Sequence, residues 1–244
     1  MTNENNTSIY RSGEYTNKNP DYHSEDSSWK WLNFHRVLEK NKDQFNISEF
    51  KNIAEIGCGV GQILQNAKVS KIFNENVNFE GWDINPDAIE TAKKLSPNIS
   101  FHADDMFNNS DIYDLIICAD VFEHVEDYYG FLDKISKKSK YILFNIPLDL
   151  NLLILLRQNT IYKDTYNKVG HIHHFTKGTA LLAIKHAGLN IVDAIYAKHR
   201  LKRKSLTTKG KFLFIPQLLL DMLNEDIASS ILGGASLVVL AKGK

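Results

Sequence analysis

The sequence predicts an α/β fold built on a doubly wound, mostly parallel sheet, and two observations carry this prediction. Strand-like and helix-like segments alternate along residues 52–145, which is the pattern of βαβ units joined by right-handed crossovers. Several strand-like segments are almost continuously apolar, as in IAEIG, DLIICAD and YILFNI. Such runs are typical of parallel strands covered on both faces, so we expect helices on both sides of the sheet.

The predicted elements follow in chain order. A first helix is expected at 27–42, where apolar residues recur at helical spacing after Ser27 or Ser28 as the N-cap. The predicted strands are 52–57, 79–83, 99–103, 114–119, 141–145, 191–197 and 235–240. The predicted helices between them are 61–67, 86–95, 127–137, 148–157 and 176–187, with Pro86 and Thr176 at helix starts.

Composition and charge exclude several classes of protein. The chain has 244 residues with 29 Lys and Arg against 29 Asp and Glu, so no net charge attracts it to nucleic acid or to an anionic membrane. Cys58 and Cys118 cannot form a disulfide framework. The polar N-terminal residues lack the apolar core of a secretory signal, and the longest apolar run, 148–156, is too short for a bilayer. We therefore expect a cytoplasmic protein with no nucleic-acid partner and no stable membrane insertion. The sequence leaves the oligomeric state open between a monomer and a homodimer.

The segment IAEIGCGVGQIL is the most informative part of the chain. A buried strand runs into a turn with Gly57, Gly59 and Gly61 at alternate positions, and glycines there permit the close backbone approach of a ligand. Asp83 follows the second strand and can accept hydrogen bonds from both hydroxyls of a ribose. Asp104 follows the third strand and could accept from an adenine amino group. These residues predict a nucleoside site at the carboxyl ends of the strands.

The residues in and before the glycine turn favour S-adenosylmethionine over a nicotinamide dinucleotide. Gln62 stands where the dinucleotide fingerprint has its third glycine, and no Lys or Arg lies in the turn to meet a pyrophosphate. Glu55 precedes the turn, and an acidic residue there suits the sulfonium and ammonium of S-adenosylmethionine. An NAD-type dehydrogenase, or purely structural turns in an unrelated α/β protein, are the alternatives.

Four motifs in this order resemble those of class I S-adenosylmethionine-dependent methyltransferases: EIGCGVG, GWDIN, HADDM and DLIICADVFEHVED, from about residue 51 to 147. Two further segments, YHSEDSSWK (22–30) and VGHIHHFTK (169–177), resemble motifs of bacterial methyltransferases found with surface-polysaccharide and sugar-modifying genes. The resemblance implies a Rossmann-like sheet of seven strands with the last one antiparallel. It also implies methyl transfer from S-adenosylmethionine to a small acceptor, with S-adenosylhomocysteine as the other product.

The cofactor site predicted from these motifs comprises Glu55, Gly57, Cys58, Gly59, Gly61, Asp83, Ile84, Asp104, Asp105, Met106 and Asp120. Within it, the glycines would bind the methionine end, and Asp120 would reach its amino group. Cys58 and Cys118 are interpreted as small core residues rather than nucleophiles.

Histidines near the reacting methyl are the candidate catalytic residues: His124, His171, His173 and His174. One of them could be the general base for a hydroxyl acceptor, because the imidazole pKa is near 6.5; acceptor binding or a structural role are the alternatives. In an extended segment, His171 and His173 would share one face and His174 the other. No metal site is predicted, because the spacing gives no signature, although these histidines with Glu123 have suitable ligand chemistry.

The resemblance also suggests acceptor-side additions. Residues 1–45 would form a lid or cap on the methyltransferase domain at 46–244, with additions at about 148–178 and 198–230. The lid residues would be Tyr22, His23, Glu25, Asp26, Trp29 and Lys30, and an N-cap cluster is the alternative explanation. The basic stretch 198–211 is either a solvated loop or a subsite for an anionic acceptor.

The function predicted from the sequence is O-methylation of a small acceptor in surface glycan (capsule or lipopolysaccharide) biosynthesis, such as a sugar or a phosphate- or phosphoramidate-type substituent. N- or C-methylation of a nucleotide-linked sugar or another small metabolite is one alternative. A protein that binds S-adenosylmethionine without catalysis is another.

Overall fold

A computed structural model of the chain describes residues 24–156, 166, 170–198 and 218–244. The helices are α1 Ser24–Asn41, α2 Gln62–Val69, α3 Pro86–Leu95, α4 Tyr128–Lys138, α5 Leu152–Leu156, α6 Lys177–His186 and α7 Glu225–Leu232. The strands are β1 Asn52–Ile56, β2 Asn78–Trp82, β3 Ser100–His102, β4 Tyr113–Ala119, β5 Ser139–Pro147, β6 Asn190–Ala197 and β7 Ser236–Lys242. Short 3₁₀ turns lie at Ile47–Glu49, Met106–Asn108 and Phe122–His124. Within these ranges no helix is long and apolar enough to cross a membrane.

The seven strands form one sheet in the order β3-β2-β1-β4-β5-β7-β6. The pairs from β3 to β5 are parallel, and β7 is antiparallel to both β5 and β6. The predicted α/β class, the seven strands and the antiparallel last strand are therefore confirmed. The final strand lies inside the sheet, next to the edge strand β6.

Two apolar layers cover the sheet, one on each face. Along β4, Leu115 and Ile117 belong to one buried cluster, whereas Ile116 and Cys118 belong to the other. This alternation follows from the twofold period of a strand, and it explains why the DLIICAD run carries no polar positions between its apolar ones. Both cysteines are free thiols in this core, as predicted.

The first helix belongs to one of these layers. Phe34, Val37 and Leu38 of α1 are fully buried among α2, β6 and β7, and Asn41 at its end donates to Asp193 of β6 over 2.9 Å. Burial on this scale does not fit a lid formed by the whole helix. Only the N-terminal part of α1 borders the pocket described below. The proposed domain boundary at 45/46 stays a prediction.

Two predicted helices start three or more residues away from the position that the structure shows. The described part of the first helix already includes Ser24, so Ser27 is not its N-cap; Ser27 is buried and lines the pocket. The helix expected to begin at residue 148 begins at Leu152. The backbone N–H groups of Leu148 and Leu150 donate to the carbonyl oxygens of Ala235 and Phe175, and the side chain of Asn151 accepts from the N–H of Ile154 at the helix start. Propensity alone does not reveal such long-range partners.

Candidate active site

A pocket of about 670 Å³ lies at the carboxyl ends of the parallel strands. The segments that follow β1, β2, β3 and β4 line it, and the start of α1 closes one side. The chain leaves β1 towards β2 and β3 on one side and returns to β4 on the other, so the order of strands reverses here. In open α/β sheets this reversal is where ligands bind.

The glycine turn after β1 forms the floor of this pocket. Gly57, Gly59 and Gly61 have φ values of +68°, +52° and +76°, a region that L side chains rarely adopt. A Cβ on Gly57 would lie 2.6 Å from Cγ2 of Val121, whereas a Cβ on Gly59 would meet no atom within 4 Å. The turn therefore needs glycine at the first position for packing, and at the second it leaves room in the pocket for a ligand.

Asp83 joins the glycine turn to the end of β2. Its Oδ2 accepts a hydrogen bond from the N–H of Gly59 over 2.8 Å, and its Oδ1 accepts one from the N–H of Asn85 over 2.9 Å. Burial raises the pKa of Asp83, although these N–H donors oppose the shift. Each carboxylate oxygen keeps a further lone pair, so Asp83 retains the capacity to accept from ribose hydroxyls, and this role stays a prediction. Ile84 lines the pocket beside it.

Residues 104–107, which follow β3, line a further part of the pocket. Oδ1 of Asp104 accepts from the N–H of Asp105 over 2.7 Å and from the side chain of Asn108 over 2.9 Å. Oδ1 of Asp105 caps the following 3₁₀ turn by accepting from the N–H of Phe107. Asp104, Asp105, Met106 and Phe107 all line the pocket. Asp104 is exposed at this rim, and its contact with adenine stays a prediction.

Lys30 interacts electrostatically with two acidic residues of the pocket, the partly exposed Asp120 and the buried Glu55. Its Nζ lies 2.7 Å from Oδ2 of Asp120, whose other oxygen accepts from the side-chain amide of Asn145. Burial would raise the pKa of Asp120, but the Lys30 ammonium outweighs it and holds this pKa below its usual value. Burial raises the pKa of Glu55 well above its usual value against the opposing charge of Lys30, and Oε2 of Glu55 has no hydrogen-bond partner among the described residues.

The pocket is predominantly acidic. Its carboxyl-bearing lining residues are Asp26, Glu55, Asp83, Asp104, Asp105, Asp120, Glu126 and Asp127, against Lys30 and Lys134. Such a lining attracts a ligand that carries positive charge and disfavours a pyrophosphate. Electrostatics therefore favour a sulfonium nucleoside over a nicotinamide dinucleotide, as the position of Glu55 predicts.

Two of the predicted histidines meet at the pocket wall. The rings of His124 and His171 lie edge to face with centroids 4.8 Å apart, and both line the pocket. Nδ1 of His124 is 3.0 Å from the carbonyl oxygen of Gly170, and Nδ1 of His171 is 2.6 Å from Oδ2 of Asp149. Burial, followed by the neighbouring His171, lowers the pKa of His124 to about 4, so this ring is neutral at neutral pH.

The predicted alternation of the other histidines is wrong. Residues 171–176 form no regular structure, because the N–H groups of residues 172 and 173 both donate to the carbonyl oxygen of Glu123. Successive N–H groups of a strand point in opposite directions, so this pattern breaks the twofold period. As a result His171 and His174 both approach Asp149, with Nδ1–Oδ2 distances of 2.6 and 4.0 Å.

His173 points elsewhere. Its Nε2 lies 3.0 Å from the carbonyl oxygen of Val125, and its ring packs edge to face on Tyr128 at 4.7 Å between centroids. Among the described residues that line the pocket, the histidines are His124 and His171. The structure therefore brings these two together and gives His173 contacts of a structural kind.

The predicted lid residues have mixed outcomes. Asp26 and Lys30 line the pocket, whereas Trp29 packs against the apolar layer around α1. Tyr22, His23 and the side chain of Glu25 lie outside the described residues, as does the basic stretch after Lys198. Lys198 itself is paired with Glu225 and Asp221, so it is not available as an anion subsite.

Two important residues were not predicted as site residues. Asp149 orients His171, and Asn145 donates to Asp120. Both lie at or just beyond the carboxyl end of β5. Both could have been predicted from this position, because the carboxyl ends of neighbouring parallel strands meet at one edge of the sheet.

Comparison with known proteins follows this geometry. A family model described as "Methyltransferase domain" matches residues 30–194. A ubiquinone biosynthesis O-methyltransferase from Rickettsia bellii is 29% identical over 107 residues, which are 43% of this chain and 44% of that protein. The chain thus matches less than half the length of this relative.

Solved structures share the fold at low sequence identity. Magnesium protoporphyrin IX methyltransferase from Synechocystis PCC 6803 with bound SAM has a TM-score of 0.60 at 11% identity, covering 98% of each chain. A complex of the Haloferax volcanii Trm112 methyltransferase activator with a putative methyltransferase gives a TM-score of 0.62 at 12% identity, covering 100% of this chain and 99% of that one. Because the family model covers more than half of the residues, this chain belongs to the methyltransferase domain family.

Proposed function

We propose that this methyltransferase transfers the methyl group of S-adenosylmethionine to a hydroxyl of a small acceptor molecule. S-adenosylmethionine is the methyl donor, and it lies over the glycine turn with its ribose at Asp83 and its adenine towards Asp104. The acidic lining supports a cationic donor, since carboxylates surround the place of the sulfonium and ammonium groups. The O-methyltransferase name of the Rickettsia bellii relative agrees with a hydroxyl acceptor.

The contact between His171 and Asp149 is the observation that carries this proposal. Because Nδ1 of His171 lies 2.6 Å from a carboxylate, this nitrogen donates, and the lone pair of the ring is on Nε2. Methyl transfer itself needs alignment and exclusion of water, but a neutral hydroxyl must also lose its proton. A ring whose orientation and tautomer are fixed by a carboxylate suits the activation of a hydroxyl.

Two observations bear on the chemical class of the acceptor. A sugar or sugar substituent of a surface glycan is the acceptor that the YHSEDSSWK and VGHIHHFTK motifs suggest, and it stays a prediction. An anionic acceptor has less support, because the described lining is rich in carboxylates. We therefore place neutral hydroxyl compounds first among the acceptors to be tested.

The test is a turnover assay with S-adenosylmethionine over a panel of sugars, sugar nucleotides and phenols, following S-adenosylhomocysteine release. His171→Ala and Asp149→Asn should each reduce turnover about 10²–10⁴-fold, the usual contribution of acid–base catalysis, while cofactor affinity changes little. His186→Ala is the matched control, since this histidine is exposed on α6. Methylation of amines alone, or cofactor binding without turnover on any acceptor, would contradict the proposal.

A further inference from the structure

Glu123 is a fully buried carboxyl group whose oxygens have no hydrogen-bond partner in the part of the chain that the structure describes. It lies in the 3₁₀ turn Phe122–His124 after β4 and is 0% exposed. Neither of its side-chain oxygens has a hydrogen-bond partner on another described residue. A buried carboxylate without donors is costly, and a protonated carboxyl would still need an acceptor for its O–H group. Burial and the charges of Asp120 and Asp149 raise the pKa of Glu123 well above its usual value.

Two imidazole rings adjoin this carboxyl group. One potential ligand atom from each of Glu123, His124 and His171 lies within 4.8 Å of the other two. Ligand atoms bound to one tetrahedral metal ion at about 2.0–2.2 Å lie about 3.3–3.6 Å apart. Each of the three ligand atoms therefore needs to move by less than about 1 Å to share one cation.

The second nitrogen of each ring is already oriented. Nδ1 of His124 donates to the carbonyl oxygen of Gly170 over 3.0 Å, and Nδ1 of His171 donates to Asp149 over 2.6 Å. These contacts assign the proton to Nδ1 and the coordinating lone pair to Nε2 in both rings. Histidines that bind metals almost always donate their other N–H to a carboxylate or a backbone carbonyl in this way.

We propose that Glu123, His124 and His171 bind a divalent transition-metal cation in the wall of the pocket. Two imidazoles and one carboxylate suit Zn²⁺ or Mn²⁺, whereas Mg²⁺ and Ca²⁺ prefer sites made of oxygen ligands. The cation also provides the positive charge that the buried carboxylate lacks. The prediction from the sequence had no metal here, because residue spacing did not reveal that residues 123 and 171 meet.

This inference deepens the proposed function, on which its catalytic part rests. Since both rings also line the pocket, the cation borders the acceptor space and can take an acceptor hydroxyl as a further ligand. Because Nε2 of His171 is then a metal ligand, the cation activates the hydroxyl in place of the free ring. Coordination lowers the pKa of the hydroxyl, whose proton leaves to solvent. The oxygen then forms its bond to the methyl carbon while the S–CH₃ bond breaks, and the electron pair stays on the sulfur of S-adenosylhomocysteine.

The test uses the full chain without a histidine tag, stripped with EDTA and dialysed. Titration with Zn²⁺ by calorimetry, and with Co²⁺ by visible absorption, should give one ion per chain and the absorption bands of a mixed nitrogen and oxygen site. Glu123→Gln and His171→Ala should each weaken binding by at least tenfold, in the range usual for loss of a metal ligand or its support. His186→Ala should bind like the unmodified chain, and circular dichroism checks that each variant is folded.

The outcomes separate this proposal from the proposed function. No saturable binding, or equal binding by all variants, would overturn the metal site; if Glu123→Gln does not fold, His171→Ala decides alone. Turnover that depends on His171 but survives EDTA would overturn the cation's catalytic part and leave hydroxyl methylation standing. One bound ion in a protein that methylates no hydroxyl would support the site and contradict the proposed function.

Discussion

Nζ of Lys30 lies 2.7 Å from Oδ2 of Asp120, and this ion pair ties α1 to the residue that follows β4. Asp120 has a φ of +56°, unusual for a residue other than glycine, so its position depends on the contacts of its side chain. The side chains of the pair are only 13% and 28% exposed. The pair therefore fixes the edge of the pocket where the methionine end of the cofactor would bind.

Breaking the Lys30–Asp120 ion pair should lower the free energy of unfolding, and the effects of the two single substitutions should not add up in the double variant. Lys30→Met leaves the Asp120 carboxylate without its cation, and the free energy of unfolding should fall by about 1–3 kcal/mol. Asp120→Asn should also destabilise, but the double variant should cost at least about 1 kcal/mol less than the sum of the two. Urea denaturation of the four proteins measures this coupling. Strict additivity would show that the ion pair contributes nothing.

Removing Asp83 should weaken cofactor binding. Asp83→Ala loses the acceptor for ribose hydroxyls and the hydrogen bond that holds Gly59, and losses involving a charged group cost about 1.5–3 kcal/mol. We expect S-adenosylhomocysteine affinity to fall about tenfold to hundredfold. Glu90→Ala is a suitable control, because this carboxylate lies exposed on α3. Equal dissociation constants for Asp83→Ala and the unmodified chain would remove Asp83 from the cofactor site.

Two glycine variants of the turn should differ in whether they affect mainly cofactor binding or mainly stability. Gly59→Ala adds a Cβ that meets no atom of the described chain within 4 Å. The free energy of unfolding should therefore fall only by the cost of a left-handed backbone, about 1–2 kcal/mol, while the methyl group obstructs the cofactor. Gly57→Ala brings a Cβ to 2.6 Å from Val121 and should destabilise the fold more. Thermal unfolding and S-adenosylhomocysteine titration separate the two effects. Normal cofactor affinity in a folded Gly59→Ala variant would place the ligand elsewhere.

Acid stability should depend on Asp114. Burial would raise its pKa, but Lys140 and the N–H groups of Lys51 and Asn52 outweigh it and hold this pKa below its usual value. A carboxyl group with a lowered pKa in the folded state contributes stability above its unfolded pKa, and this is lost as pH falls through the folded value.

Asp114→Asn should therefore destabilise the protein by about 1–2 kcal/mol at pH 7. Its stability should then fall less steeply than that of the unmodified chain as pH drops below about 4. Denaturant midpoints measured from pH 7 to pH 3 give this comparison. Parallel curves for the two proteins would show that Asp114 does not titrate as described.

Much of the fold follows from local patterns. The bounds of α3 at Pro86–Leu95 match the prediction, because a proline at the first turn and a regular apolar stripe define them. Each strand was predicted to within two residues. The almost continuous apolar run in β4 also predicted that both faces of this strand are buried.

The site could be predicted only where its residues follow strand ends. Gly59 and Asp83 were found in this way, and the structure joins them by a hydrogen bond. The pairing of His171 with Asp149 and that of Lys30 with Asp120 were not predicted. In each pair the two residues are far apart in sequence and meet only because separate elements pack together. The alternation of His171 and His173 with His174 was expected only for an extended segment. It is not found, since two N–H groups converge on one carbonyl oxygen and break the strand period.

Calorimetric titration of the purified chain with S-adenosylhomocysteine, alongside NADH, tests the central claim most directly. The acidic pocket over the glycine turn predicts one S-adenosylhomocysteine per chain, no measurable binding of NADH, and loss of binding in Gly59→Ala. Saturable binding of NADH without binding of S-adenosylhomocysteine would contradict the assignment of the donor site and the methyl-transfer chemistry that depends on it.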